Sequence, residues 1–163
     1  MVEQGMFWNT TLDASWGWVA GLIDGEGCIS IQDNQLDLKV SNTHEPTLTR
    51  FKEIVNVGTV YDVTSSKSIG TRPIFQWTAR GRESRVVIRH CLPVLVTKRE
   101  QAKLGIDYQG LVDLSSSYRE VPFGLWTKRK ELAARIKSFN SSKGSRNRIM
   151  KDLGWDKKEP EAT

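Results

Sequence analysis

Apolar and polar residues alternate along two pairs of short segments, which is the pattern of β-hairpins that bury one face. The first pair spans residues 28–32 and 35–41, and an Asp-Asn turn separates them. The second pair spans residues 59–65 and 72–78 across a polar tip. The apolar positions predict a buried face formed by Ile29, Ile31, Leu36, Leu38, Val40, Phe75 and Trp77. The intervening positions predict an open polar face formed by Ser30, Gln32, Gln35, Asp37, Lys39, Ser41, Arg72, Gln76 and Thr78.

Helical periodicity fills the segments between and after the hairpins. Residues 15–25 are apolar around most of the helix circumference, so we expect protein to cover this helix. Residues 45–55 form an amphipathic helix, and three later helices are predicted over residues 81–91, 98–114 and 125–139. This order predicts an α+β fold, in which one antiparallel sheet carries helices on one face.

A chain of 163 residues is long enough for one compact domain with a substantial core. We expect residues 1–163 to form that single domain, with an N-terminal arm over residues 1–13 and a basic, loosely ordered tail over residues 141–163. The longest apolar run falls far short of the roughly 20 residues that span a membrane. Because the first residues lack the pattern of a targeting signal, we expect an intracellular location.

Glycines repeat at every fourth position of the first helix, at Gly17, Gly21 and Gly25. This spacing places them on one helix face, where a second backbone could approach closely. Gly25 and Gly27 are expected to end the helix with a left-handed cap. Glu26 between them is a carboxylate at the helix end, where the helix dipole is mildly unfavourable for it. Without further information, it could be an ordinary surface acid.

Residues 19–27, with the sequence Val-Ala-Gly-Leu-Ile-Asp-Gly-Glu-Gly, resemble the signature of the LAGLIDADG homing endonucleases. The resemblance implies that Glu26 binds a catalytic metal ion and that the backbone carbonyl of Gly25 faces the same ion. The family more often has aspartate at this position, so the extra methylene of Glu26 could shift the metal. Mg²⁺ is the expected cofactor because it prefers oxygen ligands and retains waters, and Mn²⁺ is expected to substitute for it.

The αββαββα order of elements also resembles the LAGLIDADG endonuclease fold, in which an antiparallel sheet forms a saddle over DNA. Strand side chains can read the major groove, where every base pair presents a distinct pattern of donors and acceptors. The resemblance therefore nominates six DNA-contacting residues on the open face, each of which could instead be a solvated strand residue: Ser30, Gln32, Gln35, Lys39, Arg72 and Gln76.

A single copy of the motif implies a homodimer in which two motif helices pack together, because single-motif members of the family are built in this way. The expected interface residues are Gly17, Ala20, Gly21 and Asp24. The weak echo at residues 110–113 lacks the acid and glycine that should follow it. A twofold interface implies a roughly palindromic target.

Three further residues are nominated by resemblance to the family's site. Lys98 aligns with a basic residue near the active site and could stabilise developing phosphate charge. His44 and Arg50 lie where the family carries other polar site residues, although the local alignment is ambiguous and His44 could simply cap the second helix. Lys98 likewise could be an ordinary lysine in the first turn of a helix.

The net charge of +5 is distributed unevenly. Residues 1–80 carry 6 Lys and Arg against 9 Asp and Glu, whereas residues 81–163 carry 18 against 10. A basic second half favours a polyanionic partner. We expect Lys128, Arg129 and Lys130 to contact phosphates, which fixes position without reading sequence. Cys28 and Cys91 lack the spacing of a metal site and are interpreted as small buried side chains.

Together these observations predict an intron-encoded type of homing endonuclease that makes double-strand breaks in a long DNA target by Mg²⁺-dependent hydrolysis. The alternative is a catalytically silent protein with the same fold that acts as an RNA-splicing maturase or as a DNA-binding regulator. A third possibility is a chance match to the motif in a protein that binds no nucleic acid. The location would be the cytoplasm or an organelle, wherever the intron-bearing genome lies.

Overall fold

The computed structural model describes residues 10–64, 72–115 and 120–141, with side chains from residue 14 onward. In chain order the elements are α1 (Thr10–Glu26), β1 (Gly27–Gln32), β2 (Gln35–Asn42), α2 (Glu45–Val55), β3 (Thr59–Asp62), β4 (Phe75–Arg80), α3 (Arg82–Cys91), α4 (Arg99–Ser115) and α5 (Phe123–Asn140). The predicted α+β class and the αββαββα order are confirmed, and two helices follow them.

The four strands form one antiparallel sheet in the order β1-β2-β4-β3. Asp33 and Asn34 both have left-handed backbone conformations, with φ of 48° and 60°, which suits a two-residue hairpin turn. Each strand of the first hairpin therefore lies where it was predicted. The pairing of β2 with β4 joins the two hairpins into one sheet, although their sequences lie far apart.

The second hairpin is shorter than predicted. β3 ends at Asp62 and β4 begins at Phe75, so Arg72 is an exposed loop residue and not a strand residue. Pro73 supplies the physical reason, because its nitrogen has no hydrogen to donate to a strand ladder. Beyond β3, Val63 N donates to Ile74 O at 2.8 Å and Ile74 N donates to Thr64 Oγ1 at 3.0 Å, so the two sides remain joined up to Thr64. The polar tip over residues 66–71 lies outside the described residues.

The apolar sheet face and the helices enclose one main core. Leu36, Leu38 and Val40 of β2 are fully buried there, together with Trp77 of β4. The Trp77 ring meets Phe51 of α2 edge-on, with 4.7 Å between ring centroids, and its indole N–H donates to Val57 O at 3.0 Å. The tryptophan is therefore buried with its polar atom satisfied, as such a ring requires. The predicted buried face is confirmed.

Helix α1 differs from the prediction at both ends. It begins at Thr10 and not near residue 15, because neither glycine nor proline interrupts the preceding turn. The predicted arm is thus helical from residue 10, and residues 1–9 lie outside the described part of the chain. At its other end the helix includes Gly25 and Glu26, and neither Gly25 nor Gly27 has a positive φ. The predicted left-handed cap is therefore wrong.

Gly27 is required for space. A Cβ at this position would lie 2.8 Å from Ile23 Cα and would overlap the Ile23 carbonyl oxygen. The chain passes from α1 directly into β1 at this point, so the backbone must cross the last helical turn at close range. The glycine permits this abrupt change of direction, which places Glu26 immediately before the sheet.

Helix α5 packs against α4 around a second small core of Leu104, Tyr108, Leu132 and Ile136. Its last residue is fixed to the sheet, because Asn140 Nδ2 donates to Ile29 O at 2.8 Å. Residues 142–163 of the predicted tail lie outside the described residues. None of the helices in the described ranges combines the length and apolarity of a membrane span.

We predict that Gly27→Ala destabilises the protein by about 1–3 kcal/mol, because the added methyl group forces the helix-to-strand crossing apart. Urea unfolding monitored by circular dichroism at fixed protein concentration measures this change. Gly124→Ala in α5 is the matched control, since a Cβ there meets no described atom within 4 Å. Equal midpoints for the two variants would contradict the steric role of Gly27.

Candidate functional site

The end of α1 presents an exposed carboxylate beside the sheet. Glu26 is the last residue of the helix and is exposed, as is Gly25 before it. The last carbonyl groups of a helix have no intrahelical partner, so they are available as oxygen ligands. Glu26 and the carbonyl of Gly25 therefore place two types of oxygen donor at one point of the surface.

The side chain of Asp24 holds a second segment against this helix end. Its Oδ2 accepts a hydrogen bond from Val96 N at 2.8 Å, and its Oδ1 accepts one from Lys98 N at 2.9 Å. These bonds fix the loop between α3 and α4 directly beside Glu26. Asp24 was expected to lie in a dimer interface, and that expectation did not include this role. Both oxygens of its carboxylate accept hydrogen bonds from its own chain.

Lys98 is fixed by the same arrangement. Its Nζ donates to the backbone oxygen of Asp24, so the lysine lies over the C-terminal end of α1, where a positive charge is favourable. Burial lowers the pKa of the Lys98 ammonium, and the negative charges of Asp24 and Glu26 oppose that shift without cancelling it. The structure thus brings Glu26 and Lys98 to the same end of α1.

Two opposing effects set the pKa of Asp24. Burial is the largest single effect and raises it, but hydrogen bonds from Val96, Lys98 and Thr97 together outweigh burial and hold the pKa below the ordinary value of 3.8. The ionised form is thus the one that this loop binds. Such a carboxylate contributes stability above its ordinary pKa and loses the contribution as the pH falls through the lowered pKa.

The open face of the sheet carries rows of polar side chains across the strands. Lys39 is central, with Cys28 opposite it on β1 and Thr78 opposite it on β4. Gln76 donates to Ser41 Oγ at 3.1 Å in the next row. Ser30 and Lys39 are half-buried and Gln32 and Gln35 are exposed, so the nominated strand residues other than Arg72 share this face. Cys28 is also exposed there, which corrects its interpretation as a buried side chain.

Asp37 lies on the open face but is fully buried, contrary to the prediction that it faces solvent. Arg80 of β4 covers it, with Nε 3.0 Å from Asp37 Oδ1. Arg80 is a candidate that sequence reasoning missed, because the predicted strand stopped at residue 78. The alternation of Gln76 and Thr78 continues to Arg80, and this signal could have identified it.

Helix α5 borders the open face and supplies a cation that was not nominated. Lys137 lines a groove of about 600 Å³ together with Ser30, Gln32 and Lys39. The groove lies between the C-terminal half of α5 and the outer side of β1. Its lining combines basic and amide side chains with the apolar Ile31, Ala133 and Ala134.

The nominated basic cluster of α5 lies largely against its own helices. The Arg129 guanidinium lies over the Tyr108 ring at 5.8 Å and donates to Ser115 Oγ at 3.2 Å. Lys130 Nζ lies 4.0 Å from the centre of the Trp126 ring. Lys128 is exposed. To bind a phosphate, Arg129 and Lys130 must therefore either leave these side-chain partners or contact the phosphate in addition to them.

His44 precedes α2 and Arg50 lies on it, and the hydrogen bonds and ion pairs of both are local. His44 occupies the N-cap position, and its Nδ1 lies 2.9 Å from Thr47 Oγ1. Arg50 forms an exposed ion pair with Glu53 at 3.0 Å. Within the described part of the chain, these interactions do not connect either residue to Glu26 or Lys98.

The glycine face of α1 is open, as the spacing predicted. Gly17, Gly21 and Gly25 are exposed, and a Cβ at any of them would meet no described atom within 4 Å. Ala20 does not share this face. It is 1% exposed and packs in the core of its own chain, so its nomination to a dimer interface is wrong. The rotation of α1 about its axis is set by the core contacts of Val19, Ala20 and Ile23.

The donor atoms present fit a hard divalent cation only in part. Among the described residues, no three acids, histidines or cysteines cluster closely enough to hold a metal ion. Glu26 and the Gly25 carbonyl offer oxygen donors of the kind that Mg²⁺ prefers, and Mg²⁺ is commonly held by one or two carboxylates, waters and substrate phosphates. The remaining ligands of such a cation would therefore have to come from groups outside this set of residues.

We predict that Asp24→Asn destabilises the protein by about 1–3 kcal/mol at pH 7, because the amide NH₂ replaces one of the two accepting oxygens and faces a backbone N–H. The deficit should shrink as the pH falls below the ordinary value of 3.8 and through the lowered pKa of Asp24 in the folded protein, because the wild-type carboxylate then becomes protonated. Urea unfolding at a series of pH values measures both effects. Asp107→Asn, at an exposed site on α4, is the control; a deficit independent of pH would contradict the ionic role of Asp24.

Comparison with known proteins relates this architecture to one group of solved structures. No family model and no curated protein sequence matches the chain. The homing endonuclease I-CvuI, solved with its target in the presence of Ca, has a TM-score of 0.66 and 21% identity over 90% of this chain and 98% of its own.

Two other structures support the same assignment of fold. The archaeal intron-encoded homing endonuclease I-Vdi141I, complexed with DNA, has a TM-score of 0.65 and 11% identity over 80% of this chain and 86% of its own. The LAGLIDADG meganuclease I-AabMI, bound to uncleaved DNA, has a TM-score of 0.56 and 22% identity over 74% of this chain and 43% of its own. The chain therefore has the fold of the LAGLIDADG homing endonucleases.

Proposed function

We propose that this chain is a site-specific homing endonuclease that binds duplex DNA with the open face of its sheet and hydrolyses phosphodiester bonds. One observation carries the proposal: exposed Glu26 and half-buried Lys98 lie at the same end of α1, where β1 of the polar sheet face begins. The similar structures named above are complexes with DNA, and one contains Ca, which supports a duplex as the partner and a divalent cation as the cofactor.

The carboxylate of Glu26 and the carbonyl of Gly25 would hold the cation. A bound Mg²⁺ supplies activation of a water molecule and neutralisation of charge on the leaving oxygen. Glu26 would hold the ion at the surface, and the exposure of its side chain leaves room for phosphate and water. Lys98 is held beside it through Asp24, and its ammonium would stabilise negative charge that develops on the phosphate. The hydrogen bond from Lys98 Nζ to the backbone oxygen of Asp24 holds the ammonium at this helix end.

A second copy of the chain would complete the site. The exposed strip of Gly17, Gly21 and Gly25 permits close approach of another helix. Two apolar side chains near it support the same interface, because Trp18 is 39% exposed and Val96, beside the end of α1, is 82% exposed. Packing about this strip would bring two Glu26 carboxylates together and would match a roughly palindromic target.

The two parts of the DNA surface would have different tasks. The strand side chains Ser30, Gln32, Gln35, Lys39 and Gln76 would contact base edges. The basic residues of α5, with Lys137 nearest the sheet and Lys128 to Lys130 further along the helix, would contact phosphates. Base contacts specify sequence, whereas phosphate contacts set affinity and position.

Selection for cleavage tests the catalytic proposal. The protein and its Glu26→Gln variant are incubated with Mg²⁺ and a DNA library of random and genomic inserts, and the cut ends are sequenced. We expect recurrent cuts at one pseudo-palindromic sequence by the unmodified protein and none by Glu26→Gln. Glu131→Gln on α5 is the matched control, because that glutamate is also exposed and should leave cutting unchanged.

A different result would favour the second candidate function. If the unmodified protein and Glu26→Gln both bind DNA or RNA in a salt-sensitive manner and neither cuts, the endonuclease proposal fails. The protein would then be better explained as a maturase or a regulator, since either function needs nucleic-acid binding without cleavage. If neither binds nucleic acid at low salt, both proposals fail.

We predict that Gly21→Ala weakens homodimerisation by about 5- to 150-fold, because a methyl group on the strip forces two closely packed helices apart. The free energy of association should become less favourable by roughly 1–3 kcal/mol. Sedimentation equilibrium measures the dimer dissociation constant. The same substitution should not destabilise the monomer, since a Cβ there meets no described atom within 4 Å and alanine favours a helix. Gly124→Ala is the control; equal dissociation constants for the two variants would exclude the strip from the interface.

A further inference from the structure

A buried carboxylate on the open sheet face organises two cations. Asp37 is 0% exposed, although its strand neighbours on the same face are half-buried or exposed. Arg80 Nε donates to Asp37 Oδ1 at 3.0 Å, and Lys39 Nζ lies 3.1 Å from Asp37 Oδ2. A buried charge persists only where it is paired, so these two cations compensate the carboxylate.

The two cations do not bind Asp37 in the same way. Arg80 makes a directed hydrogen bond, whereas Lys39 contributes charge at short range without hydrogen-bond geometry, since Asp37 Oδ2 has no hydrogen-bond partner among the described residues. Loss of Arg80 from Asp37 would leave the buried carboxylate without any hydrogen bond on its side chain. Arg80 should therefore remain on Asp37 when a ligand covers this face.

The second contact of Arg80 is of a different kind. Its Nη1 donates to Asp33 Oδ2 at 3.1 Å, and Asp33 lies in the turn between β1 and β2 with its side chain 83% exposed. Exposed ion pairs contribute little free energy, so this contact exchanges readily with a ligand. Departure of Asp33 would free the end of the guanidinium formed by Nη1 and Nη2, while Nε stays on Asp37.

We propose that Arg80 reads a guanine in the DNA target, that Asp37 positions it, and that Asp33 occupies its binding end in the free protein. This inference rests on the proposed function, because it requires a duplex on the open sheet face. The Nη1 and Nη2 groups match the O6 and N7 acceptors that guanine presents in the major groove. Two carboxylates beside the guanidinium disfavour a phosphate, which carries a negative charge, and favour a neutral base edge.

The surroundings of Arg80 fit a base edge. A cavity of about 500 Å³ on this face is lined by Arg80 together with Lys39, Tyr61, Gln76 and Thr78. The cavity is concave and polar, and it includes two of the residues already nominated for base contacts. Arg80 therefore extends the same recognition surface towards the turn between β1 and β2.

Binding selection tests this inference. The parent is the full chain carrying Glu26→Gln, which prevents cleavage, and it is used to select duplexes from a random DNA library. The double variant carries Arg80→Gln and Asp37→Asn in addition. The DNA motif that each protein enriches is then compared. Changing both residues removes both charges, so an unpaired buried carboxylate does not confuse the result. Arg89→Gln, an exposed arginine on α3, is the matched control. Circular dichroism and urea unfolding confirm that each variant is folded.

We expect the double variant to lose its preference for guanine at one position of each half-site, by about 5- to 150-fold, while the other positions of the motif stay the same. An identical motif for the parent and the double variant overturns the inference and leaves the proposed function standing. If the parent itself enriches no motif, the proposed function fails, and the inference fails with it. Arg89→Gln should retain the parental motif.

Asp33→Asn tests the competing contact separately. Asparagine tolerates the left-handed turn conformation, so the variant should fold normally. We expect it to bind the selected duplex up to about fivefold more tightly with an unchanged motif, because the end of Arg80 is no longer held by a carboxylate. Weaker or equal binding would contradict the role given to Asp33.

Discussion

The carboxylate of Asp24 joins the two segments on which the candidate site depends. It accepts hydrogen bonds from Val96 and Lys98, which lie more than 70 positions away in the chain, and so holds the loop before α4 against the end of α1. This contact, together with the bond from Lys98 Nζ to the backbone oxygen of Asp24, brings Lys98 to the end of α1 that carries Glu26. Its ionised state is favoured by the hydrogen bonds themselves, which lower the pKa of Asp24 despite the cost of burial.

A second carboxylate performs a similar task on the sheet. Asp37 is buried between Lys39 and Arg80 and forms an ion pair with each of them. These ion pairs orient the two cationic side chains on the open face. Basic residues of α5 border the same face. The acidic first half of the chain and the basic second half thus have complementary tasks, since acids near the site orient individual cations and the later helices supply positive charge.

The sequence predicts the local elements well, because alternation and helical periodicity arise from neighbouring residues. Local patterns do not predict features that depend on contacts between residues distant in the sequence. Burial of Asp37 follows from the pairing of β2 with β4, and the core position of Ala20 follows from the rotation of α1 against the sheet. Pro73 could have shortened the predicted second hairpin, since its missing N–H is a local signal. The partnership of Glu26 with Lys98 was available only through resemblance, because the loop that joins them is held by tertiary contacts.

A structure of the chain bound to its selected DNA target in the presence of Ca²⁺ tests the central claim most directly. The account predicts two copies packed along the glycine strip, both Glu26 carboxylates beside the scissile phosphates, and the open sheet faces in the major groove. DNA bound to another surface, or Glu26 directed away from the phosphates, would contradict it.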